Sequence, residues 1–479
     1  MCFKINVDAV PMKHLRHQGG YTDGAGDVDI MYSNKIAWTL ISGMVRYGEA
    51  REESEKRISN KKMNERIYVL YRRIKAFGNS LCFYFFRVFP IKQNRIVVCS
   101  FEGRSGFNDN PKYIVKELHE QHPELEIIWL VNQTGKKFPD YVIEKRNSLL
   151  SRAYYLTTAK VWIDNYRKPY GTVKRKGQYY MNTTHGMIGF KCIGLWRGDG
   201  LSEMAYRVIK NDSDMIDDML IDSEWCAEMC PDGMIYYGNY LRTGDPRVDI
   251  LYGDKTYFRE KFRKEHGLSF DTKIVLFAPT FREANKSGKR SVYENQWTLD
   301  FERLLKNFEK KFGGNWVICL RLHPQLAEAA GEYKDEKLGN KLIDVTKIED
   351  LYEIMAAVDA CVSDYSTTAF DSSLMHIPVF LYADDIDSYL KDRGGMIWNI
   401  SSDTDAVVTN KKEMTPNIDV VLPFSISQNN DEFERKILNF DEKAYLERLK
   451  AFEKGVELVF DGKAGKRAVE RIEEYLKRP

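Results

Sequence analysis

The 479-residue chain has no apolar run near the ~20 residues that cross a bilayer. Its first twenty residues lack the apolar core of a secretory signal. Charge of one sign is also missing: 72 Lys and Arg against 70 Asp and Glu leave +2. That balance argues against a protein built to hold nucleic acid, and it confines any phosphate recognition to a local patch. No GxxxxGK-S/T loop and no GxGxxG fingerprint occurs, which speaks against a P-loop NTPase and a simple dinucleotide enzyme. No HExxH and no nuclease-type carboxylate pair occurs either. The eight cysteines are scattered. Cys226 and Cys230 are the one close pair, without a second pair or neighbouring His to complete a zinc pattern. Free buried thiols and a reducing compartment are expected.

What is present is enough apolar residue, 43%, to build substantial cores. At ~150 residues per domain the length implies two or three of them. Residues 1–30 read as irregular, 31–47 as a short apolar helix, and "REESEKRISNKKMNER" (51–66) as a solvated charge run. "IYVLYRRIKAFGNSLCFYFFRVFPIKQNR" (67–95) interleaves Arg72, Arg73, Lys75, Arg87 and Lys92 with large apolar side chains. It suits either a helix lying on an anionic membrane or a core helix with solvated cations, and periodicity does not separate the two.

From Arg95 short apolar strands alternate with helices. "RIVVCS", "LEIIWLV", "KVWIDN" and the run ending in "QYYMNTTHG" read as strands, with helices over 110–123 and 151–159. A second alternation begins near 270: strands "KIVLFAPT", "WVICLRLHP", "DACVSD" and "IPVFLYADD", with helices over 297–312 and 348–358, then two closing helices. The pattern predicts an α/β protein of two doubly wound parallel sheets, covered on both faces, with a cleft between them. Ligands bind at the carboxyl ends of such strands. The expected divisions are an N-terminal extension (1–66), a first Rossmann-like domain (67–255), a second (256–440) and C-terminal helices packing back across them (441–479).

In the second half the strand ends read "APTFRE", "RLHP" and "SDYSTT". They place Arg282, Arg321, His323, Ser366 and Thr367 on one rim, and cations beside a helix N-terminus suit a diphosphate. Ser366 reads as the N-cap of a helix running past Leu374 and Met375. Taken alone, that stretch is also an ordinary capped helix. Asp371 shares a helix face with Thr367. It could meet a sugar or polyol hydroxyl, or simply favour the helix dipole. In the first half His185 follows a strand and precedes Gly186, so it is a candidate general base near neutrality, although a lone His is more often structural.

The ordered set "IVVCSFEGRSGFNDNPKYIVKEL", "AKVWIDN", "NTTHGMIGFKCIG", "LIDSEW", "TGDPRVDIL", "VLFAPTFRE", "LRLHP", "CVSDYSTTAFDSSLMHIPVFLY" and "DRGG" resembles the CDP-glycerol glycerophosphotransferases of teichoic acid synthesis, over roughly residues 68–400. The resemblance implies a GT-B-like architecture and a peripheral enzyme at the cytoplasmic face of the cell membrane; the basic and aromatic pattern of 67–92 makes that segment the candidate contact with the anionic surface. It implies transfer of a polyol phosphate from CDP-glycerol or CDP-ribitol to a lipid-linked glycan or polyol-phosphate acceptor, releasing CMP. No tightly bound cofactor and no essential metal are expected. His185 would be the base, and Arg282 and His323 would bind and neutralise the pyrophosphate, with Arg321 beside them. Ser366 and Thr367 would hold phosphate oxygens, and Asp371 the donor's polyol. The family usually has an aromatic residue before the His-Gly pair and Thr-Pro after it. Here Thr184 precedes and Met187-Ile188 follow, while Lys191 keeps its place, so the departures fall on the acceptor side. A nucleotide-sugar glycosyltransferase of the same fold is the alternative, and a catalytically inert membrane-surface scaffold a third reading.

Overall fold

The structure is a computed structural model that describes residues 65–186, 188–280, 298–322, 333–386, 389, 396–398 and 422–478. The expected helix over 31–47, and the charge run but for its last two residues, lie outside these. The chain divides into two units, Met1–Tyr71 and Arg72–Pro479, and both sheets belong to the second.

The first sheet has seven strands: β1 (Lys92–Cys99), β2 (Glu126–Val131), β3 (Val142–Arg146), β4 (Ala159–Asp164), β5 (Tyr179–Asn182), β6 (Asp218–Ile221) and β7 (Asn239–Arg242). Their order is β3-β2-β1-β4-β5-β6-β7, every pair parallel. The second has six: β8 (Lys273–Ala278), β9 (Trp316–Leu320), β10 (Leu342–Asp344), β11 (Ala360–Ser363), β12 (Val379–Tyr382) and β13 (Ser425–Ser427). Their order is β10-β9-β8-β11-β12-β13, again all parallel. Strands covered by helices on both faces are apolar where they are covered, which is why β4, β8, β9 and the second half of β1 are rich in Val, Ile, Leu and Trp. In each sheet the strand order reverses beside its first strand, between β1 and β4 and between β8 and β11, and a crevice opens there.

The helices follow local chemistry. Phe301–Phe312 starts where Asp300 accepts from the Arg303 N–H and stops at Gly313, whose φ is +65°. Leu304, Leu305 and Phe308 are its buried stripe. The helix expected over 348–358 is the single turn Leu351–Met355, begun by Asp350. The helix after β11 spans Thr368–Ser373, six residues rather than a run past Met375, with Thr367 at the cap position. Near the C-terminus, Ala464–Leu476 returns to the first sheet and seats Ala468, Val469 and Ile472 against its core.

The helical stretch from Arg72 to residue 86 is built the other way round. Its inward face is small and polar: Ser80 donates to the Gly171 carbonyl (2.8 Å), Asn79 to the Tyr170 carbonyl (3.0 Å), and Ala76 meets Gly171 so closely that a Cβ there would collide. Phe83 is a fully buried core anchor, and Phe86 packs half-buried against the same core beside Tyr154. Ile74, Phe77, Leu81, Tyr84 and Phe85 face outward and are exposed, as are Val88 and Phe89 beyond. Among the described residues the cysteines are unpaired thiols, six of them buried. No described helix is long and apolar enough to cross a membrane.

Candidate active site

The strand ends of the two sheets face a common cavity of about 300 Å³. From the first sheet come Phe101 after β1 and His185, Gly186, Gly189, Phe190 and Lys191 after β5; from the second come Thr280 after β8, Arg321 and Leu322 after β9, and Tyr365 to Thr368 after β11. Since β9, β8 and β11 are adjacent and parallel, three successive carboxyl ends form one wall.

His185 is held by neutral groups. Its Nδ1 donates to the Asn165 carbonyl at 3.0 Å; a carbonyl can only accept, so the neutral ring keeps its lone pair at Nε2. Tyr166 stacks on the imidazole (centroids 5.5 Å apart, 25° between planes) and Phe101 lies 5.4 Å away. The side chain is exposed to the cavity it lines, so desolvation acts on it only in part. Desolvation lowers its pKa below the ordinary 6.5, against the Asn165 hydrogen bond and Asp109, while Arg247 and Lys191 push the same way as burial. Because one side stays open to the cavity, the shift is smaller than full burial would give. The result is an imidazole that is neutral at pH 7.

The opposing wall is hydroxyl-rich. Ser366 Oγ accepts from the Thr368 N–H (3.3 Å) and pairs with Thr368 Oγ1 (2.9 Å), so Ser366 braces the turn while Thr367 makes no capping bond. Asp364 accepts from the Thr280 N–H (2.8 Å to Oδ2) and ties the end of β8 to the end of β11. Arg321 is buried, with Nη1 donating to the carbonyls of Val345 (2.7 Å), Thr346 (2.9 Å) and Ile348. Burial lowers its pKa to about 10, so it stays cationic at pH 7.

The two walls meet at Gly186. A Cβ there would lie 3.1 Å from Thr367 and 2.8 Å from Arg247 Nη2, and φ is +119°. Only glycine fits. Beneath it, Arg247 is an almost wholly buried guanidinium, donating to Asp109 (3.1 Å) and Asp371 (3.1 Å) with Asp245 at 3.3 Å. Burial works against its charge, and the carboxylates around it outweigh that and hold it protonated.

The structure therefore gathers His185, Lys191, Arg321, Ser366 and Thr367 around one cavity and leaves two expected residues outside its lining. Thr184 is buried, at φ +52°. Asp371, expected beside the donor, is instead engaged by Arg247 and by the Tyr352 hydroxyl (2.6 Å). Its carboxyl is pushed up by burial, partly offset by Arg247. Shared helix spacing with Thr367 named its face but not the partner waiting there. Arg282 and His323 lie outside the described residues. Among the described lining residues, cationic Lys191, Arg247 and Arg321 stand against Asp109, Glu349 and Asp350, a balance rather than a positive wall. Sequence reasoning assigned no role to Asp109, Asn165, Arg247 or Tyr352, although "FNDNPKYIV" and "TGDPRVDIL" carry two of them. No cluster of three or more His, Cys, Asp or Glu among the described residues is placed to hold a metal ion.

The comparisons with known proteins bear on family and fold. The chain is 28% identical over 323 residues to a teichoic acid poly(glycerol phosphate) polymerase of Staphylococcus epidermidis, covering 65% of this chain and 43% of that protein. It is 25% identical to a teichoic acid poly(ribitol-phosphate) polymerase of Bacillus spizizenii, covering 81% and 64%. The chain thus spans less than two thirds of these relatives, whereas a Staphylococcus aureus teichoic acid glycerol-phosphate transferase, 26% identical, is matched over 79% and 93%. In fold it is similar to the solved wall teichoic acid polymerase TagF, with TM-score 0.69, 22% identity, and 86% and 98% of the two chains covered. The sequence profile of one family matches residues 81–474, nearly everything from the exposed helix to the last one, and so the chain belongs to the CDP-glycerol:poly(glycerophosphate) glycerophosphotransferase family.

Proposed function

We propose that the protein transfers a polyol phosphate, glycerol phosphate first and ribitol phosphate second, from its CDP derivative to a hydroxyl of a teichoic- or capsule-type acceptor. The observation that carries the reading is the shared cavity, with a neutral imidazole on one wall and the Ser366–Thr368 turn and Arg321 on the other. The acceptor oxygen attacks the phosphorus bearing the polyol, and His185 Nε2 takes the hydroxyl proton. The bond from that phosphorus to the oxygen bridging it to CMP breaks, and CMP leaves carrying the added negative charge. Positioning and charge neutralisation dominate such transfers. Ser366 and Thr367 hold donor phosphate oxygens; Arg321, with Arg282 and His323 by resemblance to the family, faces the leaving group; Lys191 and the Thr184 turn lie on the acceptor side. The lobes, 67–255 and 256–440, act as a GT-B pair, with 441–479 bracing them. No step is routed through a metal, and turnover is expected to survive a chelator.

The outward apolar face of residues 72–89 supports peripheral membrane association. A helix that points Ile74, Phe77, Leu81 and Phe85 at solvent, with Arg73 and Lys75 exposed beside them, suits an anionic bilayer surface where a lipid-linked acceptor would lie. The test of function is incubation with CDP-glycerol, CDP-ribitol and nucleotide sugars in turn, with a polyol-phosphate acceptor. CMP from a CDP-polyol is expected; a nucleoside diphosphate from a sugar donor, with the CDP-polyols untouched, would favour the glycosyltransferase alternative.

A further inference from the structure

We propose that Arg247 is a positioning residue that joins the two halves of the site: through Asp109, Asp245 and Asp371 it holds the His185 turn of the first sheet against the Thr367 turn of the second. The inference rests on the functional reading above for its kinetic consequences but not for its geometry. The guanidinium is 1% exposed, donates through Nη1 to Asp109 and through Nη2 to Asp371, each at 3.1 Å, and lies over the Tyr352 ring at 5.1 Å. Asp109 and Asp245 belong to the first lobe, Asp371 and Tyr352 to the second.

Each arm reaches a reacting wall. Asp109 also accepts from Asn165 Nδ2 (3.0 Å), and the Asn165 carbonyl holds His185 Nδ1. The Arg247 backbone N–H donates to Asn110 Oδ1, while Asn110 Nδ2 donates to the Thr183 carbonyl and to Asp245, so the strand end carrying His185 is tied to the same arginine. On the far side Asp371 lies one helical turn beyond Thr367 and accepts from the Tyr352 hydroxyl. Asp109 adopts φ +55°, in the left-handed region that Asp tolerates better than most residues. Three carboxyl groups surround one cation, and burial raises the pKa of both Asp245 and Asp371.

The charged groups facing His185 are Asp109, which raises its pKa, and Arg247 and Lys191, which lower it; the remaining neighbours, Asn165, Tyr166 and Phe101, are neutral. Removing the cation should move the His185 titration up, and removing the Asp109 charge should move it down. A residue that only filled space would do neither. The test uses the full-length protein without substrate: the rate of diethyl pyrocarbonate modification at His185, which reports the neutral imidazole, is followed by peptide mass spectrometry from pH 5 to 8. The midpoint should rise by about half a pH unit or more in Arg247→Met, fall in Asp109→Asn, and stay in place in Arg247→Lys. In turnover, Arg247→Lys should lose about tenfold in kcat with donor KM within about twofold, because lysine cannot serve three carboxyl groups with a fixed fork. Unmoved midpoints in folded Arg247→Met and Asp109→Asn would overturn the proposal. If Arg247→Met does not fold, the direction of the Asp109→Asn shift decides alone. If no CDP-polyol is consumed, the functional reading fails and the titration still judges this inference.

Discussion

The two walls of the cavity have the same ancestry in geometry and opposite chemistry. Both are carboxyl ends of parallel strands beside the point where the strand order of a sheet reverses. The first wall sets one imidazole against a carbonyl and two aromatic rings, with Lys191 on the same side, and the second presents the hydroxyls of Ser366, Thr367 and Thr368 and a buried arginine beside Glu349 and Asp350. An imidazole that is to take a proton at pH 7 must be kept neutral, to which partial desolvation and the nearby cations Arg247 and Lys191 both contribute. A polyphosphate needs donors and positive charge. The fold supplies two equivalent crevices, and the residues after each strand decide what each crevice can do.

Predictions can break that contrast or sharpen it. Gly186→Ala drives a Cβ into the place where the walls touch, so turnover should fall about a hundredfold from misplaced groups. The same change should cost about 1–3 kcal/mol in a urea unfolding curve, from the strained φ. Unaltered turnover would mean that the walls do not act on one substrate. Thr367→Val keeps the shape and removes a hydroxyl that makes no capping bond. It should raise donor KM about tenfold with unfolding unchanged, and an unmoved KM would take Thr367 out of donor binding. Away from the cavity, Arg73→Glu with Lys75→Glu should weaken sedimentation with phosphatidylglycerol vesicles at least about fivefold. Equal binding would leave the outward apolar face without a lipid role. The smallest effect concerns pH. Lowering the His185 pKa keeps the neutral base present further into acid, so the acid limb of kcat/KM should lie below pH 6.5. A limb above that value would contradict a desolvated imidazole.

Legibility in the sequence followed burial and length together: interior β6 "DMLI" is fully buried, yet with four residues opening on Asp218 it gave no strand signal. β1, β4, β8, β9 and β11 are covered on both faces and read as apolar runs. The edges did not read: β3 "VIEKR", β7 "NYLR", β10 "LID" and β13 "SIS" are short, and most carry polar or charged side chains because an edge meets solvent. His185, Arg321, Ser366 and Thr367 were legible because strand ends in a parallel sheet share a rim by construction. The Arg247 cluster was not, since Asp109, Arg247, Tyr352 and Asp371 come from four separate segments and no spacing rule joins them. Asp371 shows the limit directly: its helix face was predictable, and the arginine from the other lobe was not. The segment 67–92 shows another limit, because its apolar content is the same whether it faces core or solvent, and only its docking through Ala76, Asn79 and Ser80 reveals the outward face.

The most direct measurement is CMP release from one CDP-polyol by the protein and by its His185→Asn variant, with donor binding measured alongside by calorimetry. The account predicts donor affinity within about twofold and release slowed by about 10²–10⁴-fold. A variant that binds the donor and releases CMP at the unaltered rate would contradict it.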